Sequence, residues 1–379
     1  MKILIVSSML VLTWLFGSIG LGIVRADLVE VVRESKTERV VKKESRVYQE
    51  VEMIFPDKTW KRETPQKVGW SSEKFDKAKE YFENLNAESC VVIVNGRMLA
   101  SWGDESKPVD NRSMRKFYLG SLIGIYSGRG KIDVTKTLNT IGIDEKTPLT
   151  ELEKSATIED LLTSSSGIYL PAAFEAPSSS KSRPDRGSNP PGKTFYYNNW
   201  DFNALSTVFK KETGEELFGA FERDIAGVLQ MQDYKPDNGK YLYEKESLHP
   251  AYIFETSARD DARVGLLWLN NGQWNGQQVI PKEWIEKATT PRFNFTNPRR
   301  FPIRDGYGYL TWIDRDAEGN LIGYSALGNS GQFLYVSVKH NAVIALRADP
   351  GSIFKKWFGL RLDPSESYRL IDLILDAKE

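Results

Sequence analysis

Strand-like apolar runs lie towards both ends of this chain, and helical periodicity fills the stretch between them. Early on, Cys90-Val91-Val92-Ile93-Val94 meets Asn95-Gly96, and Met98-Leu99-Ala100-Ser101-Trp102 follows. Asn-Gly between two apolar runs is a strong signal for a two-residue hairpin. Late in the chain, Gln332 to Val338 and Ala342 to Arg347 read as two strands joined by Lys339-His340-Asn341, and Gly308 to Ile313 alternates like another. Helical spacing marks the middle: Ser113 or Met114 to Ser127, Thr157 to Leu162, Asn199 to Lys211, Glu215 to Leu229, Arg259 to Leu269 and Pro281 to Thr289. Two further helices flank the strand regions. One follows a capping Ser71 and carries Phe75, Ala78, Phe82 and Leu85. The other opens on the capping box Asp363-Pro364-Ser365-Glu366 and buries Leu370, Ile371, Leu373 and Ile374. A chain with this order is expected to form an α+β fold. Its single antiparallel sheet would be built from both terminal parts, with a mainly helical subdomain, roughly residues 130–255, inserted between them.

Charge and composition narrow the function. Among 379 residues, 51 Lys+Arg balance 51 Asp+Glu, which removes the usual electrostatic argument for a nucleic-acid partner. Cys90 is the single cysteine, so neither an intrachain disulfide nor a cysteine zinc cluster can form, and its β-branched neighbours suggest a core-facing strand residue. The two histidines, His249 and His340, are too few for a histidine-rich metal site. Both read as surface residues. His340 sits in the predicted hairpin turn, and His249 precedes Pro250 in a loop, although its place before the returning sheet leaves it a candidate for a cleft wall. No Gly-x-Ser-x-Gly elbow follows a strand, which disfavours an α/β-hydrolase. Residues Ile3 to Val24 carry no charged side chain, follow Lys2, and precede Arg25-Ala26. We expect residues 1–26 to be an export signal or an uncleaved anchor, placing the body in the periplasm or outside the cell. Residues 27–67 mix both charge signs with valines and read as a linker, with short strands near Val40-Val41 and Val47 to Ile54. The main domain would then span 68–379.

Ser113-Met114-Arg115-Lys116 is the first element with chemical promise. Serine and lysine three residues apart share one side of a helix, so the lysine amine can reach the hydroxyl. A neutral amine there can take the serine proton, and desolvation and neighbouring positive charge both favour neutrality. Free N-H groups at the start of the helix can face an oxyanion. Taken alone, the spacing also fits a capping serine beside a solvated lysine. Arg115 points to another side of the helix and is expected at the surface or behind the site.

With these residues in view, the chain resembles the serine β-lactamase and penicillin-binding protein superfamily. Within it, the chain is most similar to the class C-like hydrolases that include esterases and 6-aminohexanoate-dimer hydrolase. Ser113 and Lys116 match the family's Ser-x-x-Lys motif, and Tyr197-Asn198-Asn199 matches its Tyr-x-Asn motif within the phrase Pro190 to Tyr197. Leu161 to Gly167, Ser257 to Asp260 with Ala262 to Leu267, and Asn275-Gly276 with Ile280-Pro281 and Trp284 are further shared phrases. The likeness runs from about Val68 to about Ala348. It implies a β-lactamase/transpeptidase-like fold and metal-independent, cofactor-free acyl transfer from a small ester or amide. Ser113 would be the nucleophile, Lys116 and Tyr197 the base system, and Asn199 an orienting group.

The third family motif falls on Asn329-Ser330-Gly331, with Asn329, Ser330 and Gly331 expected to bind substrate. The N-H groups of Ser113 and Gln332 would form the oxyanion hole. Asn329 replaces the customary cation, and the bulky Phe117 follows the lysine. The missing cation argues for a small ester or amide over a β-lactam or a D-Ala-D-Ala-type peptide, although Lys181, Arg183, Arg186 and Lys193 in the polar loop 178–193 offer charge from another side. The same departures leave open a catalytically silent binding module with this fold.

Overall fold

A computed structural model of the chain describes residues 52–175, 177–295, 305–349 and 362–379. The apolar run at 3–24 and the charged segment up to residue 51, including the strand expected near Val40-Val41, lie outside them. Among the described residues, no helix is long and apolar enough to cross a membrane.

The early hairpin forms as β1 (Ser89–Val94) and β2 (Arg97–Gly103), turned by Asn95 and Gly96 at φ 47° and 77°. The later strands are β3 (Phe293–Asn294), β4 (Gly306–Tyr307), β5 (Trp312–Arg315), β6 (Leu321–Gly328), β7 (Gln332–Ser337) and β8 (Ala342–Arg347). Together they make one eight-stranded antiparallel sheet in the order β2-β1-β8-β7-β6-β5-β4-β3. Strand β1 pairs with β8 from Ser89 opposite Arg347 to Val94 opposite Ala342, so the two ends of the body are stitched between the second and third strands of the sheet.

Every residue of β1, β7 and β8 is buried, because both faces of the sheet are covered. Cys90, Val92 and Val94 face a layer formed by α1 (Ser72–Glu83) and the last helix. Val91 and Ile93 face the larger layer of α2 (Arg115–Gly128), α3 (Asn199–Thr213), α4 (Ala258–Leu269) and α5 (Lys282–Ala288). The last helix is α6 (Pro364–Leu375), and its Asp363 and Glu366 complete the expected capping box. Leu373 is only half-buried there, whereas Leu370, Ile371 and Ile374 are fully inside.

Helix α2 is apolar around most of its girth, as befits a central helix, with every residue from Arg115 to Tyr126 buried. Phe117 explains its own size: its ring lies 4.1 Å from that of Trp268 in α4, and Trp268 Nε1 donates to Ser121 Oγ at 2.8 Å. A buried polar knot ties α4, β8 and the approach to α2. Arg347 and Asp261 pair at 3.2 Å with no exposure, and Arg347 also donates to the Val109 carbonyl at 2.6 Å and to Asn111 Oδ1 at 3.0 Å. Thr256 Oγ1 donates to the same Asn111 oxygen at 2.8 Å.

Two expectations change. The segment from Gly308 to Ile313 is not one strand. Leu310 adopts φ 54° with its N-H on the Leu162 carbonyl, and this turn separates β4 from β5. The described part of the presumed linker lies on the body from Glu52 onward. Lys61 and Glu63 bracket Met98 of β2 through backbone bonds, Trp60 is buried, and Arg263 donates to the carbonyls of Asp57 and Lys58.

Candidate active site

Ser113 stands in a single 3-10 turn, Arg112–Met114, that leads into α2. The turn is entered through Arg112 at φ 50°, a left-handed value that a non-glycine residue adopts at some cost, with its N-H held by Asp110 Oδ1 at 2.7 Å. Lys116 follows one turn later and is 2 % exposed. Its Nζ lies 2.7 Å from Ser113 Oγ and packs over the rings of Phe202 and Tyr197 at 4.6 and 4.9 Å. Burial, and after it the positive charge of Arg115, holds the Lys116 amine well below the usual lysine range.

Tyr197 closes the other side of the Ser113–Lys116 pair, with its ring centroid 4.9 Å from Lys116 Nζ. Its position is set by the start of α3. Asn198 caps the helix by accepting from the Trp200 N-H at 3.2 Å, while its Nδ2 donates to the Ile168 carbonyl at 2.7 Å and to Asp201 Oδ1 at 2.9 Å. The Tyr197 ring stacks on Trp312 of β5 at 5.5 Å, and Phe195, two residues earlier, packs against Phe293, Tyr307 and Trp312. Burial pushes the Tyr197 hydroxyl up to about 12, against the smaller downward effects of Ser113 and Arg115.

Opposite the Ser113 turn lies the bend between β6 and β7, and both strands pack on that turn. Asn329, Ser330 and Gly331 form this bend, with Ser330 and Gly331 at φ 66° and 81°. The glycine that faces the serine turn is Gly328: a Cβ there would meet the Asn111 carbonyl oxygen at 2.4 Å and Arg112 Cβ at 3.1 Å. Gly331 points the other way, towards Leu362 and Ala348. Its size follows from its left-handed backbone and the core behind it. Gln332 begins β7 opposite Gly328, and its side chain turns to the Ala348 carbonyl.

A profile of the beta-lactamase family matches residues 89–349, most of the chain. The protein belongs to the beta-lactamase family. No curated protein sequence is a match. Solved structures with the same fold as this beta-lactamase-family chain include a Bacillus anthracis protein described as a 6-aminohexanoate-dimer hydrolase, with 21% identity, 84% of this chain and 86% of that one covered, and a TM-score of 0.60. A penicillin-binding protein from Bacillus halodurans has 14% identity, coverage of 79% and 99%, and a TM-score of 0.58. A penicillin-binding protein homologue from Caulobacter crescentus has 14% identity, coverage of 82% and 99%, and a TM-score of 0.57. At these identities the likeness is one of fold.

Several residues of this beta-lactamase-family protein lie elsewhere than its sequence suggested. Asn199, the first residue of α3, is buried, but no described hydrogen bond joins it to Lys116. Of the two places expected for Arg115, the surface and behind the site, the structure has the second. Arg115 is 2 % exposed, with its guanidinium carbon 5.1 Å from the Tyr252 ring and 5.8 Å from that of Phe174. Arg183 and Arg186 do not offer free charge to the cleft, because they pair with Glu175 and Glu153. His249 is buried rather than exposed, with Nδ1 3.0 Å from Thr207 Oγ1 and its ring edge-on to Trp200. Burial lowers its proton affinity. His340 stays in the β7–β8 turn, half-buried, 2.8 Å from Ser337 Oγ. Among the described residues, no group of three or more His, Cys, Asp or Glu side chains is placed to hold a metal ion. The aromatic wall around Tyr197 escaped the sequence reading. Its one local trace is the alternation Phe195-x-Tyr197, which places two rings on one side of an extended segment.

Proposed function

We propose that the protein is a serine hydrolase that cleaves a small ester or amide through an acyl-enzyme on Ser113. The observation that carries this reading is the buried contact of Lys116 Nζ with Ser113 Oγ at 2.7 Å, beside the Tyr197 ring; burial there holds the Lys116 amine down and pushes the Tyr197 hydroxyl up. Two titratable groups driven apart in this way divide naturally into base and acid. Lys116 is the immediate base. It takes the Ser113 proton as Oγ bonds to the carbonyl carbon, with the N-H groups of Ser113 and Gln332 facing the oxyanion. Tyr197, a neutral phenol, gives its proton to the leaving oxygen or nitrogen as that bond breaks, and recovers one from the Lys116 ammonium. Water then adds to the acyl carbon and surrenders a proton to Lys116. The acid departs, and Ser113 regains its hydrogen. Asn199 and the bend at Asn329, Ser330 and Gly331 would line the bound substrate.

The reading of a silent binding module loses its support in two places. Lys116 points at Ser113 rather than at solvent, and Phe117 is spent on packing against Trp268. Hydrolysis of a carboxylate-bearing lactam or a D-Ala-D-Ala-type peptide is favoured by one observation, Arg112. It stands next to Ser113 with a quarter of its side chain exposed, and its only described acid partner, Asp110, is 3.4 Å away. The half-buried rings of Phe195, Tyr197 and Trp312 support an apolar ester instead.

A steady-state comparison of p-nitrophenyl esters, a linear amide dimer and a chromogenic cephalosporin decides between them. Ester turnover that vanishes in Ser113→Ala, together with loss of fluorophosphonate labelling, is the expected result. Cephalosporin kcat/KM well above that for every ester would reverse the substrate ranking. We further propose that the body is exported. A mature start at Asp27 by intact mass would indicate a cleaved signal, and Met1 retained in the membrane fraction would indicate an anchor.

A further inference from the structure

Arg115 is the least expected side chain near the site. A guanidinium buried among protein atoms ordinarily has a carboxylate partner, because an unpaired charge in the interior is costly. Among the described residues Arg115 has none. Its contacts are two long hydrogen bonds, to the Arg112 carbonyl and to Asn203 Oδ1, both at 3.4 Å, and the faces of Tyr252 and Phe174. Its Nε has no partner at all. The acids of the surrounding elements are engaged elsewhere: Asp110 on Arg112, Asp201 on Ser166 and Asn198, and Asp261 on Arg347. The next residue, Lys116, is equally buried and equally without an acid, facing Ser113 Oγ and the rings of Tyr197 and Phe202. Two adjacent buried cationic side chains with no acid partner among the described residues cannot both keep their charge cheaply. The guanidinium cannot release its proton, and the amine can.

We infer that Arg115 is a positioning residue: its permanent, unneutralised charge beside Lys116 keeps that lysine in the free-amine form that can deprotonate Ser113. The inference rests on the hydrolase reading above and adds to it the residue that prepares the base. A neutral side chain of similar length would fill the same space without an unpaired charge. The described acids on the packed elements are committed to other partners. A single carboxylate within reach of Lys116 would raise its proton affinity and cancel the effect.

The test uses Arg115→Met and Arg115→Lys in the intact protein, read by the pH profile of ester kcat/KM, by thermal unfolding, and by an NMR titration of the Lys116 amine. In Arg115→Met the acid limb of the profile should move to higher pH by about one unit, which corresponds to about a tenfold change in proton affinity for one nearby charge. Activity should recover at alkaline pH, and Tm should stay equal or rise. Arg115→Lys, whose own amine can release its proton, should move the limb in the same direction by a smaller amount. An Arg115→Met protein that is folded but has an unmoved Lys116 titration, or that loses activity equally at every pH, overturns the inference. So does failure of Arg115→Met and Arg115→Gln alike to fold, which would make the guanidinium a structural group. The amine titration does not depend on turnover. If it shifts as expected while Ser113→Ala retains full ester activity, the hydrolase reading fails and the electrostatic role of Arg115 stands.

Discussion

At the scale of single residues, the protein spends stability at Lys116. Burial lowers the proton affinity of the amine in the folded state, while the unfolded chain keeps the ordinary value of 10.5. Between the lowered folded value and 10.5, the unfolded state therefore binds more protons than the folded one. Stability must rise with pH across that window. Below the window the folded state carries the full cost of an unpaired buried cation. Lys116→Met removes the titrating group and fills the same slot against Phe202 and Tyr197. We expect its Tm to exceed that of the wild type at pH 7 and the difference to shrink as the pH approaches 10. A lower Tm at pH 7 would show that the Lys116–Ser113 contact stabilises the fold rather than burdening it. The same substitution should abolish ester turnover, so stability and activity would move in opposite directions at one position.

At the scale of elements, the serine turn is clamped between the β6–β7 bend and the Asn111–Arg347–Asp261 knot. Gly328→Ala places a methyl 2.4 Å from the Asn111 carbonyl oxygen, so the turn two residues before Ser113 must shift. Misplacement of a nucleophile by a fraction of an ångström to one ångström typically costs ~10- to 100-fold in rate. We expect a loss of that order in kcat with a stable fold. Gly219→Ala, whose Cβ would meet nothing within 4 Å, serves as the control. Wild-type kcat in Gly328→Ala would mean that the bend does not set the serine position. The same scale shows what sequence could and could not reveal. The β1–β2 hairpin was readable because its turn chemistry, Asn95-Gly96, is contained in two residues. Ser71 and Asp363 were readable as caps for the same reason. The break between β4 and β5 was not, because Leu310 is held in its left-handed turn by Leu162, which lies far away in the chain. The burial of Arg115 and His249 was hidden on similar grounds. A long or polar side chain becomes buried only through partners brought by other elements, here Tyr252, Phe174 and Asn203 for one and Thr207 and Trp200 for the other. Of the site, the spacing of Ser113 and Lys116 showed only that the two side chains could meet, and it fitted a capping serine beside a solvated lysine as well. The rest came through family resemblance, and Gly328 and the aromatic wall came only with the coordinates.

At the scale of the whole molecule, the single thiol is a built-in reporter. Cys90 is fully buried in β1, between Trp102 of β2 and Leu346 of β8, and is roofed by α1 and α6. Burial raises its proton affinity and so suppresses the reactive thiolate. In the native protein, labelling by an aromatic disulfide reagent should proceed no faster than unfolding of the sheet. Truncation before Asp363 removes α6 and uncovers that face, and labelling should accelerate by at least ~100-fold, equivalent to a loss of about 2.7 kcal/mol in the opening free energy. Rapid labelling of the full-length protein would mean that the sheet opens locally at β1.

The seam between β1 and β8 also governs the order of events during biosynthesis. The hairpin Ser89–Gly103 is made early, yet its central edge has no partner until Ala342–Arg347 has been synthesised. Contacts spanning most of the chain are slow to form, because a long loop must close before they contribute. Until then Val91, Val92 and Ile93 form an open, apolar strand edge of the kind that recruits other chains. A nascent or C-terminally truncated polypeptide is therefore a ready substrate for holdase chaperones.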